Sequence, residues 1–380
     1  MALGRLQYEQ GPIRPPSEAG SLLVRLTRNC PWNRCLFCPV YKEEKFSRRS
    51  VDDIKVDISK MAEAAERIRS VSDSSGSGEE INRQTVAKIQ SEHPELLQIA
   101  YWQYGGGKNV FLQDGDSLLM PLSDLLEILS FLKEKFPSID RITTYARSKT
   151  LLRFSQPEME LLRDQGLSRI HVGLESGCDK VLDFMKKGVT GEQHRQAGLL
   201  VKAAGLSLSF YVILGLGGQL LWREHALDTA KVINRVNPDF IRMRTLAIHP
   251  ASPLYQSFLD GNFTPLTDDQ VIREELLFIE SLDSTESYLS SDHILNLMEE
   301  VEGQLPADKE QMLGTLKRYL NWPAEKREIF RLGRRTGYFR YLNDLDHQAL
   351  SQPVKEYYRQ LQNQNITVDE QIRQLMLRFI

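Results

Sequence analysis

Six short apolar runs, each rich in β-branched or aromatic residues, recur along this chain of 380 residues with helical patterns between them. The runs are SLLVRLT (21–27), NVFLQ (109–113), RITTYA (141–146), RIHVGLE (169–175), LSLSFYVIL (206–214) and DFIRMRTLA (239–247). The helical patterns cover Val51 to Ser70, Ser123 to Phe136, Gln156 to Gln165, Gly191 to Ala204 and Arg223 to Val236. Ser155 with Glu158, and Thr190 with Gln193, have the spacing of a capping box, and Gly166 and Gly205 stand where left-handed C-terminal caps belong. Strands that alternate with helices need crossover connections, so they form a parallel sheet that is covered on both faces or closed toward a barrel. Ligand chemistry then belongs at the C-terminal ends of the strands.

Two segments interrupt the repeat. SVSDSSGSGEEINRQ (70–84) is small, polar and glycine-containing, which predicts a mobile surface insertion. From residue 265 the pattern turns helical, as in DDQVIREELLFIESL, DKEQMLGTLKRYL, VKEYYRQLQ and DEQIRQLMLRFI. The expected organisation is a lead-in over 1–20, a main domain over 21–264 and a helical C-terminal extension over 265–380. In that extension FRLGRRTGYFRYL (330–342) interleaves Arg331, Arg334, Arg335 and Arg340 with Tyr338, Phe339 and Tyr341. Such a run binds phosphates or stacks on bases in some proteins, but a solvated basic face over an aromatic contact is the commoner outcome. With 48 basic and 51 acidic residues the net charge is −3, which gives no overall footprint for nucleic acid or a membrane. No apolar stretch reaches the roughly 20 residues that cross a bilayer, and no secretory leader is expected, so the chain is expected in the cytoplasm.

In that compartment thiols stay reduced, and clustered cysteines are better read as metal or redox ligands than as disulfides. TRNCPWNRCLFCPVYK (27–42) follows the first strand and holds Cys30, Cys35 and Cys38, three of the four cysteines. A structural zinc site normally takes four protein ligands, and no second C-x2-C or H-x3-H half is present. Three thiolates on a four-iron cube leave one iron open to an exogenous ligand. The remaining thiol, Cys178, is more often a small hydrophobe than a ligand, and His249 and His293 are more often satisfied structural groups than site residues.

These residues resemble the radical S-adenosylmethionine (radical SAM) superfamily over roughly residues 10 to 305. The cysteine spacing here is C-x4-C-x2-C rather than the usual C-x3-C-x2-C. The longer form recurs in a subgroup that opens with RPPSEA, here Arg14 to Ala19, and ends its cluster loop with the pair Tyr41-Lys42. The resemblance implies an α/β fold, a partial (β/α)6 TIM-like barrel with parallel strands. It also implies a 4Fe-4S cluster on Cys30, Cys35 and Cys38, with SAM as second cofactor. Phe37 would lie beside the adenine. FLQDGDSL (111–118) replaces a glycine-rich turn that receives the methionine ammonium, which points to Gly115 and Asp116. YARSK (145–149) offers Tyr145 and Arg147, and a guanidinium matches a carboxylate fork. GLESG (173–177) offers Glu175 and Ser176, and YVILGLGG (211–218) places Ile213 and Leu214 against the adenine.

The implied activity is reductive cleavage of SAM to a 5′-deoxyadenosyl radical that takes hydrogen from a substrate the sequence does not identify. The implied electron source is a low-potential donor such as flavodoxin or ferredoxin, and nucleic acid and membrane are not expected partners. Similar sequences are often labelled coproporphyrinogen oxidases, but those carry a further cysteine beside the cluster loop, where this chain has Pro39 and Val40. Methylthiotransferases carry a second three-cysteine cluster, for which Cys178 alone does not suffice. The competing reading is a metal-stabilised module that binds RNA or protein through the helical tail without catalysis.

Overall fold

The computed structural model describes residues 7–74 and 80–377, and the chain divides into two compact units. The first comprises the described residues up to Pro31, Glu43–Val172 and Leu200–Ser207. Its elements are β1 (Leu22–Arg25), α1 (Val51–Ser74), α2 (Arg83–Glu92), α3 (Leu97–Tyr104), β2 (Asn109–Gln113), α4 (Leu122–Lys135), β3 (Arg141–Ala146), α5 (Gln156–Asp164) and β4 (Leu167–Glu175). The last residues of β4, Gly173–Glu175, belong to the second unit. β1, β2, β3 and β4 pair in parallel in chain order, with Leu22 opposite Val110 and Val110 opposite Ile142. Ile54, Ile58, Met61 and Ile68 of α1 recur at helical spacing and are fully buried, as are Val110 and Phe111 of β2. The capping box of Ser155 and Glu158 is formed at the start of α5.

The second unit comprises Trp32–Lys42, Gly173–Leu199 and the residues from Leu208 onward. It contains α6 (Asp179–Phe184), most of α7 (Gly191–Ala203) and of β5 (Ser207–Leu214), α8 (Gly218–Val236), β6 (Phe240–Thr245), α9 (Asp268–Glu280) and β7 (Tyr288–Ser290). The helices α10 (Lys309–Leu320), α11 (Ala324–Thr336), α12 (Gln348–Asn363) and α13 (Val368–Met376) follow. β5 and β6 are parallel neighbours, with Tyr211 opposite Arg242 and Ile213 opposite Arg244, and β7 continues the parallel set on β6. The fold class is therefore the α/β one expected, with parallel strands and intervening helices in each unit and C-terminal helices in the second.

Four expectations are corrected. Residues 70–74 continue α1, and only 75–79 of the expected insertion lie outside the described residues. Two helices, α2 and α3, precede β2; Asn82 caps α2 through its side chain, which accepts from the Thr85 amide. The C-terminal extension also carries strand, since β7 pairs with β6 and Gly303–Gln304 pairs antiparallel with β7. Finally, Arg331, Arg334 and Arg335 are neither solvated nor open to phosphates, whereas Arg340 stays exposed. Arg331, Arg334 and Arg335 are at most 8% exposed and pair with Asp369, Glu299 and Asp268, while Arg340 also reaches Glu299. A guanidinium enters a protein interior only when paired, so this run fastens the helices together.

Candidate active site

In the first unit, the chain leaves β1 at Arg25 and enters the cysteine loop under the control of one carboxylate. Asp114, fully buried after β2, accepts from Arg25 Nη2 at 2.7 Å and from the amide of Asn29 at 3.1 Å. Asn29 takes a left-handed backbone, φ +68°, which asparagine tolerates better than most residues. Glu9 braces the same arginine and accepts from both sides of Arg28, whose hydrogen bond holds its carboxyl below the usual range. Gly115 completes the fit, because a Cβ there would stand 3.3 Å from the Asn29 carbonyl and 3.4 Å from the Cys30 Cα. The turn expected to meet a ligand therefore packs directly on the first cysteine.

Asp116, next in that turn, is also fully buried. Its Oδ2 accepts from the Thr150 hydroxyl at 2.5 Å, and its Oδ1 has no hydrogen-bond partner among the described residues. Burial pushes its carboxyl up to about 7, against the smaller opposing pull of Thr150 and Arg147. Tyr145 stands one residue before the end of β3 with its ring edge-on to Phe111 at 5.2 Å, and Arg147 leads into the short helix Ser148–Leu151.

In the second unit, the rest of the cysteine loop is tied down at several points. The Trp32 indole donates to the Lys186 carbonyl at 2.7 Å, and the Leu36 amide donates to Met185 at 3.0 Å. Lys42 donates to the carbonyls of Cys35 and Asn33 at 2.7 and 3.2 Å, and the Asn33 amide group donates to the Tyr41 carbonyl. Asn33, inside the longer C-x4-C spacer, is left-handed with φ +47°. Leu36 and Phe37 pack on an apolar cluster of Cys178, Val181, Met185, Leu216, Leu254 and Phe263, joined by Ile213.

Glu175 closes β4 with φ +61° and an ion pair to Lys187 at 2.9 Å, and the Lys187 ammonium stands 5.9 Å from the centre of the Phe37 ring. Sequence reasoning missed Lys187; the only signal was that a glutamate ending an apolar strand needs a partner. Gly173 leaves room for this arrangement, since a Cβ there would fall 2.1 Å from Glu175 Oε1.

Two further expected site residues, Ser176 and Leu214, are buried. Ser176 is fully buried; its hydroxyl donates to His225 Nδ1 at 2.8 Å and accepts from the Cys178 amide at 3.0 Å, so it is committed within the chain. His225 Nε2 donates in turn to the Ile213 carbonyl at 3.0 Å, and burial lowers this imidazole to about 4. Leu214 is 2% exposed and, by strand alternation, faces away from the side that Ile213 presents to the cluster. After it, Gly215 turns with φ +83° and donates its amide to Glu274 Oε2 at 2.5 Å. Neither the His225 nor the Glu274 contact was legible in sequence. Cys178 behaves as a small hydrophobe whose thiol burial pushes up. His249 accepts from the Ala251 amide at 3.0 Å within its own turn.

The sequence profile of the Radical SAM superfamily matches residues 24–230, more than half of the chain. The chain belongs to the radical SAM superfamily. A tRNA-2-methylthio-N(6)-dimethylallyladenosine synthase from Haemophilus ducreyi is 24% identical to it over 334 residues, 87% of this chain and 57% of that protein. A tRNA uridine(34) acetyltransferase from Methanocaldococcus jannaschii is 22% identical over 118 residues, 31% of this chain and 22% of that one. The coproporphyrinogen III oxidase of Escherichia coli, a radical SAM enzyme, aligns with a TM-score of 0.43 at 16% identity, covering 69% of this chain and 52% of that chain. This radical SAM chain thus spans little more than half the length of the first relative and less of the second.

Enzymes of the superfamily bind a 4Fe-4S cluster and SAM, and these are the cofactors of this one. The donor set fits the cluster: Cys30, Cys35 and Cys38 are half-buried, outside any disulfide, and thiolate is the ligand such clusters take.

Proposed function

We propose that this radical SAM enzyme holds a 4Fe-4S cluster on Cys30, Cys35 and Cys38, cleaves SAM reductively, and uses the resulting 5′-deoxyadenosyl radical to take hydrogen from its substrate. The observation that carries the proposal is the Glu175–Lys187–Phe37 arrangement, which sets a carboxylate, an ammonium and an aromatic face together in the unit that holds Cys35 and Cys38. When bound, the cluster supplies one electron to the SAM sulfonium. The protein's part is to bind and orient. Glu175 supplies an acceptor for ligand hydroxyl or ammonium protons, Lys187 a cation for a carboxylate, and Phe37 with Ile213 an apolar face for a base. Tyr145 on β3 and Arg147 just after it offer further contacts, with the Arg147 fork suited to a carboxylate. Gly115 presents backbone to the ammonium, and the unpartnered Oδ1 of Asp116 is its acceptor. The electron comes from a low-potential donor such as flavodoxin or ferredoxin, in a reducing compartment such as the cytoplasm that keeps the thiols available. Capture of RNA by the tail loses its support, because Arg331, Arg334 and Arg335 are paired inside the fold.

The test is iron and sulfide content with visible absorption after anaerobic reconstitution. Replacing any one of Cys30, Cys35 or Cys38 with alanine removes the cluster band, whereas Cys178→Ala retains it. Stoichiometric zinc without iron, or loss of iron in Cys178→Ala, would overturn the assignment.

A further inference from the structure

The DFIRMRTLA strand carries two arginines on one face. Arg242 and Arg244 lie two residues apart on β6, so their side chains project together, while Ile241 and Met243 between and before them are fully buried on the other side. Their neighbours in register on β5 are Tyr211 and Ile213. The Arg244 guanidinium lies 5.0 Å over the Tyr211 ring, which fixes its plane, and its Nη1 donates to Asp292 at 2.9 Å and to the Met243 carbonyl at 2.7 Å. Arg242 Nη1 donates to the other oxygen of Asp292 at 3.1 Å.

The charges in this cluster do not balance. Two guanidiniums share one carboxylate, and among the described residues no second carboxylate pairs with either. Their side chains are only 9% and 13% exposed, and Arg242 Nε and Arg244 Nη2 are buried without a hydrogen-bond partner. A buried cation with an idle donor is costly unless an anion completes it. His293 stands beside Arg244 and Asp292; burial, and then the Arg244 charge, lower its imidazole to about 4, so it adds no further cation at neutral pH. Asp292 keeps 32% of its side chain exposed, so the cluster is open on one side.

We propose that Arg242 and Arg244, with His293 at their edge, form the subsite that receives an oxyanion of the substrate, a carboxylate or a phosphate group. The role as a substrate subsite rests on the radical SAM reading above, since Arg244 is the register neighbour of Ile213, the expected adenine contact. A planar guanidinium with free donors suits the oxygens of either anion, which an apolar cavity would reject.

The test follows thermal unfolding of the full chain while inorganic phosphate or acetate is titrated against sodium chloride at matched ionic strength. A ligand that binds only the folded protein raises the midpoint saturably. The wild type is expected to show such a rise with at least one anion beyond chloride, and the preferred anion separates phosphate from carboxylate. Arg244→Gln is expected to raise the half-saturating concentration about tenfold or more, and Arg244→Lys, which keeps charge but not the fork, to lie between. No saturable rise in the wild type, or an equal rise in Arg244→Gln, would overturn the proposal. The readout needs neither cluster nor SAM cleavage, so its failure is separable from a failure of the cofactor assignment.

Discussion

Glu175 holds a left-handed backbone at the end of a buried strand, a conformation that costs a non-glycine residue free energy and persists only where its surroundings enforce it. Lys187 and the absence of a Cβ at Gly173 are what enforce it here. Glu175→Gln keeps the shape and removes the charge, so it is expected to weaken SAM binding by about tenfold while the protein retains its iron. Gly173→Ala is expected to weaken SAM binding in the same direction with little loss of stability, because the atom it displaces is the end of a flexible side chain. Calorimetric titration of the reconstituted variants checks both, and unchanged affinity would make the strand end purely structural. The buried acids of α9 act on stability instead. Burial raises Glu275 from 4.5 to about 8, and Glu274 likewise. The folded protein therefore binds these protons more tightly than the unfolded chain does. That contribution is complete below about 4.5 and is lost as pH rises through about 8. Glu275→Gln is expected to flatten the decline of stability across that window, as measured by denaturant midpoints at stepped pH.

At the scale of elements, much of the scaffold is local in origin and was legible for that reason. NVFLQ and RITTYA are strands at the expected bounds, and the Ser155–Glu158 box caps α5, because alternation and capping chemistry depend on residues close in sequence. What escaped was short or long-range. β7 spans only Tyr288–Ser290 and is held by β6, and α3 (LQIAYWQY) has the aromatic content of a strand. The candidate site divides the same way. The cysteines announce themselves by spacing, whereas Lys187, His225 and Glu274 take their meaning from partners in other elements. Arg331, Arg334 and Arg335 were misread because their carboxylates sit on other elements; Arg335 meets Asp268 at the start of α9. Both side chains are at most 4% exposed, so Arg335→Ala strands a buried carboxylate and is expected to cost about 3–5 kcal/mol. Chemical denaturation measures it, and a loss within the range of a surface substitution would show that the pair does not fasten α11 to α9.

At the scale of the whole molecule, each unit holds its own set of expected groups. The first holds Cys30 with the Arg25–Asp114 brace, Asp116, Tyr145 and Arg147, and the second holds Cys35, Cys38, Phe37, Glu175 and Lys187. Among the described residues no helix is long and apolar enough to cross a membrane. The central claim is that this chain directs one electron into SAM through a cluster on three cysteines, and SAM turnover tests it most directly. Anaerobically reconstituted protein is incubated with SAM and a strong reductant, and 5′-deoxyadenosine is quantified by chromatography beside a Cys35→Ala control. The account predicts 5′-deoxyadenosine and methionine from the wild type and neither from the control. Fully iron-loaded wild type that leaves SAM intact, or a Cys35→Ala protein that cleaves it equally well, would contradict the account.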